Sequence, residues 1–361
     1  YSLDDIKNMG LGFTPKIDAV KKYLGSKNHK PEQIKEALSF FSDRRIGDSH
    51  TLTIPYRSGD DIRGFKFRSI GDHKPKYLNS KGLDKKSGFF NLLGIKGGKE
   101  IIIVEGELDC LHATIKGFEN VVATGGDSVN EDQIKDAIKK EVNSFTICFD
   151  TEPERSKETT KKINSVIDVI LKTGVNRVYI VTLPDLGNGK TDLDRFLNVK
   201  GADAFKVEVS KAVPYYEFRL YSTLDKYIEI EEQNNGLTDK DKDNLLEEII
   251  ETSLTLDALH KEQFVKLFTA LEPIKALGIT EESLNLTIDR LRDSKDKQTQ
   301  AEGYKNLILR ANKTADAGDV GKALKMIGEE LKSLSLQDKK TEFSKLLNPI
   351  RQEDLITALK N

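Results

Sequence analysis

A chain of 361 residues, 37% hydrophobic and 32% charged, is long enough for two or three domains with separate cores. It holds no run near the roughly 18 apolar residues that a membrane span needs, so a membrane partner is not expected. Its two cysteines, Cys110 and Cys148, have no cysteine or histidine at metal-site spacing, which argues against a disulfide framework and against a structural zinc in this chain. A soluble, helix-rich cytoplasmic protein fits these figures. The net charge of −2 hides an asymmetry: residues 1–98 hold 19 Lys and Arg against 11 Asp and Glu, the remainder 38 against 48. A basic front half-domain of this kind favours contact with a polyanion.

In chain order, Pro31 opens a helix with Ile34, Ala37, Leu38 and Phe41 at helical spacing. Residues 51–55 and 64–68 alternate as strands do, with a turn at 58–61. From Lys99 strands and helices alternate. Ile101–Val104 is wholly apolar, as in a strand buried on both faces. A helix follows over about 107–116, then a strand at 120–123, a helix near 131–141, a strand at 145–149, a helix over 157–172 and a strand at 177–183. Repeated βα units predict a parallel sheet covered by helices. After Val213-Pro214 the pattern is helical throughout, with a flexible joint expected at 293–300.

Acids gather where such sheets carry their function, at the carboxyl ends of the strands. Glu105 follows the first strand directly and Asp109 lies one helical turn on; Asp150 and Glu152 follow the third strand; Asp192 and Asp194 come after the fourth. Each acid alone could be a helix-dipole or capping residue. Three groups at three strand ends of one sheet point instead to a magnesium or manganese site, since hard divalent cations take oxygen ligands.

Glu105-Gly-Glu-Leu-Asp109 after an apolar strand, then Phe149-Asp-Thr-Glu152, resemble the two signatures of the TOPRIM domain. The second is usually Asp-x-Asp, and here Glu152 stands at its end. Pro75-Lys-Tyr-Leu-Asn-Ser80 resembles a motif of DnaG-type DNA primases, preceded as in that family by Ile54–Arg57, Gly64-Phe65 and Arg68. Tyr23-Leu24 with Lys27 resembles an earlier motif that usually carries arginine at the position of Lys27. Gly189-Lys190-Thr-Asp-Leu-Asp194 resembles the family's lysine-and-two-aspartates segment with one residue inserted. A further lysine common in the family just downstream is absent where Phe89-Phe-Asn91 stands.

The resemblance implies an α/β TOPRIM parallel sheet, preceded by a small basic α/β subdomain and followed by an all-α region. The expected domains are residues 1–98, 99–212, 213–298 and 299–361, the last a helical hairpin or a link toward a helicase. It implies DNA-templated synthesis of short RNA primers. Glu105, Asp109 and Asp150 would be catalytic, and Glu105, Asp150, Glu152, Asp192 and Asp194 would hold the metal. Lys27, Arg57, Arg68, Lys76, Tyr77, Asn79 and Lys190 would bind nucleotide or template. The implied partners are single-stranded DNA, nucleoside triphosphates and a replicative helicase, separate or fused. Two other readings stay open for the acids and basic residues: TOPRIM nuclease or topoisomerase-like cleavage, and a non-catalytic single-stranded-DNA module recruiting a helicase. The family carries a zinc-binding domain ahead of these segments, and the Tyr1 start gives the expectation that one precedes this chain.

Overall fold

The computed structural model describes residues 2–293 except 42, 59–60, 85–87, 96–97, 127, 188 and 272–279. The expected 299–361 hairpin therefore lies outside the described residues, as does nearly all of the 293–300 joint. The chain divides into two compact units after Leu256.

The first unit opens with α1 (Leu3–Asn8), β1 (Gly12–Phe13), α2 (Ile17–Ser26) and α3 (Pro31–Ser39). An antiparallel sheet follows, ordered β1-β2-β3-β4, with β2 at His50–Ser58, β3 at Asp61–Ser69 and β4 at Tyr77–Asn79. The alternating segments at 51–55 and 64–68 are the middles of longer strands, paired Thr53 with Phe67 and Pro55 with Phe65. Side chains of a strand point alternately to its two faces. One face of this sheet carries Ile54, Tyr56, Lys66, Arg68 and Tyr77, since Ile54 pairs with Lys66 and Arg68 with Tyr77.

The second sheet has the order β6-β5-β7-β8-β9. Its strands are β5 (Glu100–Val104), β6 (Val121–Ala123), β7 (Ser144–Ile147), β8 (Val178–Ile180) and β9 (Val213–Pro214). The helices α4 (Glu107–Ile115), α5 (Glu131–Lys139), α6 (Ser156–Lys172) and α7 (Leu193–Ser210) connect them. The first four strands run parallel, as the βα alternation predicts; β9 is an antiparallel edge that the sequence pattern did not reveal. Ile101, Ile102, Ile103 and Val104 are all buried, which matches a central strand covered on both faces. Helix α7 was also missed. Gly201 sits inside it at φ 82°, a left-handed break that interrupts the helical periodicity.

The two sheets share one core. Ile54 and Tyr56 from β2 belong to the same cluster as Ile102 and Val104 of β5, Phe90, and Phe196 and Phe205 of α7. Phe90 also bridges to Ala123 through a pair of backbone hydrogen bonds of 2.9 and 3.2 Å. This packing presses the cation-bearing face of the first sheet against the carboxyl ends of the second.

Helices α8 (Tyr215–Asn234) and α9 (Asp239–Leu254) complete the first unit. Arg219 of α8 anchors it to α6 through Asp168 and through Asn164 Oδ1 at 3.3 Å. The second unit contains α10 (Ala258–Ala270) and a helix over 281–293, joined by an ion pair of Lys261 and Asp289 at 2.8 Å. All regular structure after β9 among the described residues is helical.

Gly25 lies within α2 with open space where a Cβ would stand. Gly25→Ala is therefore expected to raise stability by about 0.5–1 kcal/mol, because alanine loses less backbone entropy in a helix. Urea denaturation measures it directly.

Candidate active site

Two local devices bring the acids together. Glu105 leaves β5 and the chain turns at once into α4, whose first turn carries Glu107 and Asp109. On the other side, Thr151 and Thr191 form an antiparallel bridge with backbone hydrogen bonds of 2.9 and 2.8 Å. That bridge sets Asp150 and Glu152 beside Lys190 and Asp192, residues that are otherwise some forty positions apart.

The resulting cleft, of about 330 Å³, is lined by Glu105, Glu107, Asp109, Asp150, Asp192 and Asp194 on one side. Lys66, Arg68, Lys76 and Tyr77 line the other, and Lys190 stands among the acids. Glu152 is not on the lining but adjoins it through Lys190, whose Nζ is 2.5 Å from Asp150 Oδ2 and 3.6 Å from Glu152 Oε1. Arg155 reaches Glu152 at 3.6 Å and Lys162 reaches Glu105 at 3.3 Å. Asp192 caps α7 by accepting the Arg195 N–H at 2.8 Å. The backbone N–H of Asp194 donates to Asp109 Oδ1 at 2.9 Å, and the Asp194 carboxylate accepts from His112 Nδ1 at 2.8 Å.

Crowding of like charge in a partly dry site has the effect expected of it. Burial, and then the charge of Asp150, push the Asp109 carboxyl up to about 8, against the pull of the Asp194 N–H. Burial also raises Asp150, with Lys190 offsetting part of the shift. Burial works to lower the Lys190 ammonium, yet its bond to Asp150 and the charges of Asp150, Glu105 and Glu152 leave it raised. A lysine ammonium held between two carboxylates marks a place where positive charge is favoured.

That observation bears on the expected metal. The donors are all carboxylate oxygens, the type magnesium and manganese prefer, and the Lys190 ammonium stands in for a cation beside Asp150 and Glu152. The residues thus fit a divalent ion. Among the described residues no three His, Cys, Asp or Glu side chains close on one point; Lys190 stands between Asp150 and Glu152, and Lys162 against Glu105.

Not every expected binding residue reaches this cleft. Lys27 ends α2, with its ammonium 5.6 Å from the Tyr23 ring. Arg57 is exposed on β2 opposite Ile62, and Asn79 is exposed on β4 beside Lys66. None of the three lines the cleft. Arg68, Lys76, Tyr77 and Lys190 do. The loop bearing Lys76 is held by His50, whose Nε2 donates to the Pro75 carbonyl at 2.7 Å.

Four residues were missed: Lys66, Glu107, His112 and the Tyr56 hydroxyl. Lys66 had a visible signal, since it lies two residues before Arg68 on an alternating strand and so shares its face. Glu107 was visible only as one more acid at a helix start. Its bonds from Lys66 Nζ, at 2.5 Å, and from the Tyr56 hydroxyl span 41 and 51 positions. No local pattern announces those contacts.

Residues 102–197 match the Toprim-like family. The DNA primase of Pseudomonas aeruginosa is 30% identical over 227 residues, covering 59% of this chain and 33% of the relative. That of Clostridium acetobutylicum is 30% identical over 212 residues, with 57% and 33% covered. Over these stretches the chain is similar to bacterial DNA primases. It spans about a third of the length of these two relatives. A DNA primase domain from Pseudomonas aeruginosa superposes with a TM-score of 0.57 at 21% identity, covering 80% of this chain and 89% of that one. A DnaG primase catalytic domain bound to single-stranded DNA gives 0.55 at 20% identity, covering 74% and 84%. The primase catalytic-core fold is therefore shared, and the Toprim-like match spans Glu152 as well as the six acids that line the cleft.

Proposed function

We propose that the chain is the catalytic core of a DNA primase, joining ribonucleoside triphosphates into short RNA primers on a single-stranded DNA template. The single observation that carries this is the facing of Arg68 and Lys76 across one cleft from Asp109, Asp150 and Asp192. Cations on one wall neutralise phosphates, while carboxylates on the other hold divalent metal. Homology to bacterial primases and the single-stranded DNA bound to a protein of the same fold support the choice of substrate.

In this reading Asp150, Glu152 and Asp192 would hold the metal, with Asp194 completing the site. Magnesium or manganese bound there would polarise the α-phosphate and make the primer 3′-hydroxyl easier to deprotonate. The remaining work belongs to side chains. Arg68 and Lys76 bind the triphosphate, and Lys190, paired with Asp150, would turn to phosphate when a cation takes its place. Glu105 accepts the hydroxyl proton. Asp109, fixed by the Asp194 N–H, sets the distance between the start of α4 and the start of α7. The 3′-oxygen forms a bond to the α-phosphorus and pyrophosphate leaves.

The same reading assigns residues 1–98 to template and nucleotide contact, 99–212 to metal binding and 213–298 to a helical support. Residues 299–361 would lead toward a replicative helicase. Incubation with single-stranded DNA, labelled nucleoside triphosphates and magnesium or manganese is expected to yield short RNA products. Metal-dependent nicking of DNA without such products would replace this reading by a nuclease.

A further inference from the structure

The basic wall of the cleft carries a cation beyond those the motifs mark. Lys66 points from β3 into the cleft and is nearly buried. Its ammonium donates to Glu107 Oε1 at 2.5 Å and lies 4.5 Å from the centre of the Tyr77 ring. Tyr56 donates its hydroxyl to that same oxygen of Glu107. Gly125, at φ +71°, leaves room for this hydroxyl, since a Cβ there would stand 2.8 Å from it. Glu107 itself is buried, one residue past the Gly106 that precedes α4.

A buried ion pair is an inefficient way to hold two sheets together. Apolar residues of similar volume usually serve as well or better, because both charges must be stripped of water. What the pair does achieve is to fix an ammonium in the cleft wall beside Arg68 and Lys76, facing the acids. We propose that Lys66 contacts the triphosphate of the incoming nucleotide, and that Glu107 and Tyr56 are positioning residues that hold its ammonium for that contact. The depth of Lys66 favours a triphosphate over the template: its side chain is only 9% exposed. A small polyphosphate chelated near the acids enters such a cleft, whereas a continuous DNA backbone tracks exposed surface. This assignment rests on the nucleotidyl-transfer reading, but direct nucleotide binding tests it separately from catalysis.

Lys66→Met alone would strand the Glu107 charge and confound binding with folding. The decisive variant is Lys66→Met/Glu107→Gln, which removes both charges at nearly constant volume. Binding of labelled ATP with magnesium and binding of single-stranded DNA are measured by fluorescence anisotropy on the full chain, with thermal melting alongside. The double variant is expected to melt like the wild type and bind ATP roughly ten- to a hundredfold more weakly, the loss of one charge-assisted contact. Its affinity for single-stranded DNA is expected to change less than twofold. Glu107→Gln, which keeps the ammonium but loosens it, is expected to show a smaller loss for ATP. ATP binding by the double variant equal to that of the wild type would overturn the proposal, leaving the pair a structural clamp. So would weakened DNA binding with ATP binding intact, or no ATP binding by the wild type. Primer synthesis by the wild type, scored independently, bears on the nucleotidyl-transfer reading alone.

Discussion

Asp150→Asn is expected to lower primer synthesis by about 10²- to 10³-fold, the loss of several kcal/mol of metal-borne stabilisation, while the protein stays folded. Asp150 follows β7 and lines the cleft, in ion-pair contact with Lys190, which also reaches Glu152. Asparagine keeps the shape and can still accept from Lys190, but it gives a cation a neutral oxygen in place of a charged one. Burial raises the Asp150 carboxyl in the folded protein. Its ionised form is thus less favoured there than in the unfolded chain, and removing that charge costs the fold little. Melting temperature and labelled-nucleotide incorporation, measured together, separate the two effects. Asp192→Asn makes a second case, because asparagine caps helices about as well as aspartate and so isolates the charge from the cap on α7. Full synthesis by folded Asp150→Asn protein would contradict the metal assignment.

Gly106→Ala is expected to cost activity far more than stability. Gly106 is the N-cap of α4, between Glu105 and Glu107, in an extended conformation that any residue tolerates. The conflict is with a side chain: a Cβ at Gly106 would fall well inside van der Waals contact of Asp109 Oδ2. Asp109 is buried, so its carboxylate must swing away and release the Asp194 N–H that it accepts at 2.9 Å. The starts of α4 and α7, which carry acids of the site, then lose their shared tether. A misplacement of about 1 Å at reacting groups commonly costs around 10²-fold in rate, against a fold penalty of about 1–2 kcal/mol for one lost buried hydrogen bond. Wild-type kcat in the alanine variant would show that Asp109 plays no part in positioning.

What the sequence revealed follows from how far each signal reaches along the chain. Strands β5 and β7 were legible because a short, mostly apolar run bounded by polar or charged residues has few other solutions. The acids at their ends were legible because position after a strand is itself local information. Strand β9 was not, since two residues give no period, and Gly201 masked α7. The site divides the same way. Arg68 and Lys76 were carried by motif resemblance and do line the cleft. Lys27 and Arg57 were carried by the same kind of resemblance, yet one caps a helix and the other is exposed on β2 outside the lining. Motif position fixes an element, and the packing of that element decides what its side chains reach. Glu107 and His112 show the converse. Each lies in a stretch read correctly as helix, and each acquires its part from a partner 41 or 82 positions away.

Glu152, which departs from the usual aspartate, is also the acid outside the cleft lining, held between Arg155 and Lys190. Its longer stem lets a carboxylate placed slightly away from the cleft remain within reach of a cation beside Asp150.

Templated incorporation is the most direct test of the central claim. On single-stranded oligodeoxythymidylate with magnesium or manganese, the chain is expected to polymerise labelled ATP into short RNA. It should leave labelled GTP, CTP and UTP unused, and stop when the metal is chelated. Incorporation that ignores the template base, or cleavage of the DNA with no RNA made, would contradict it.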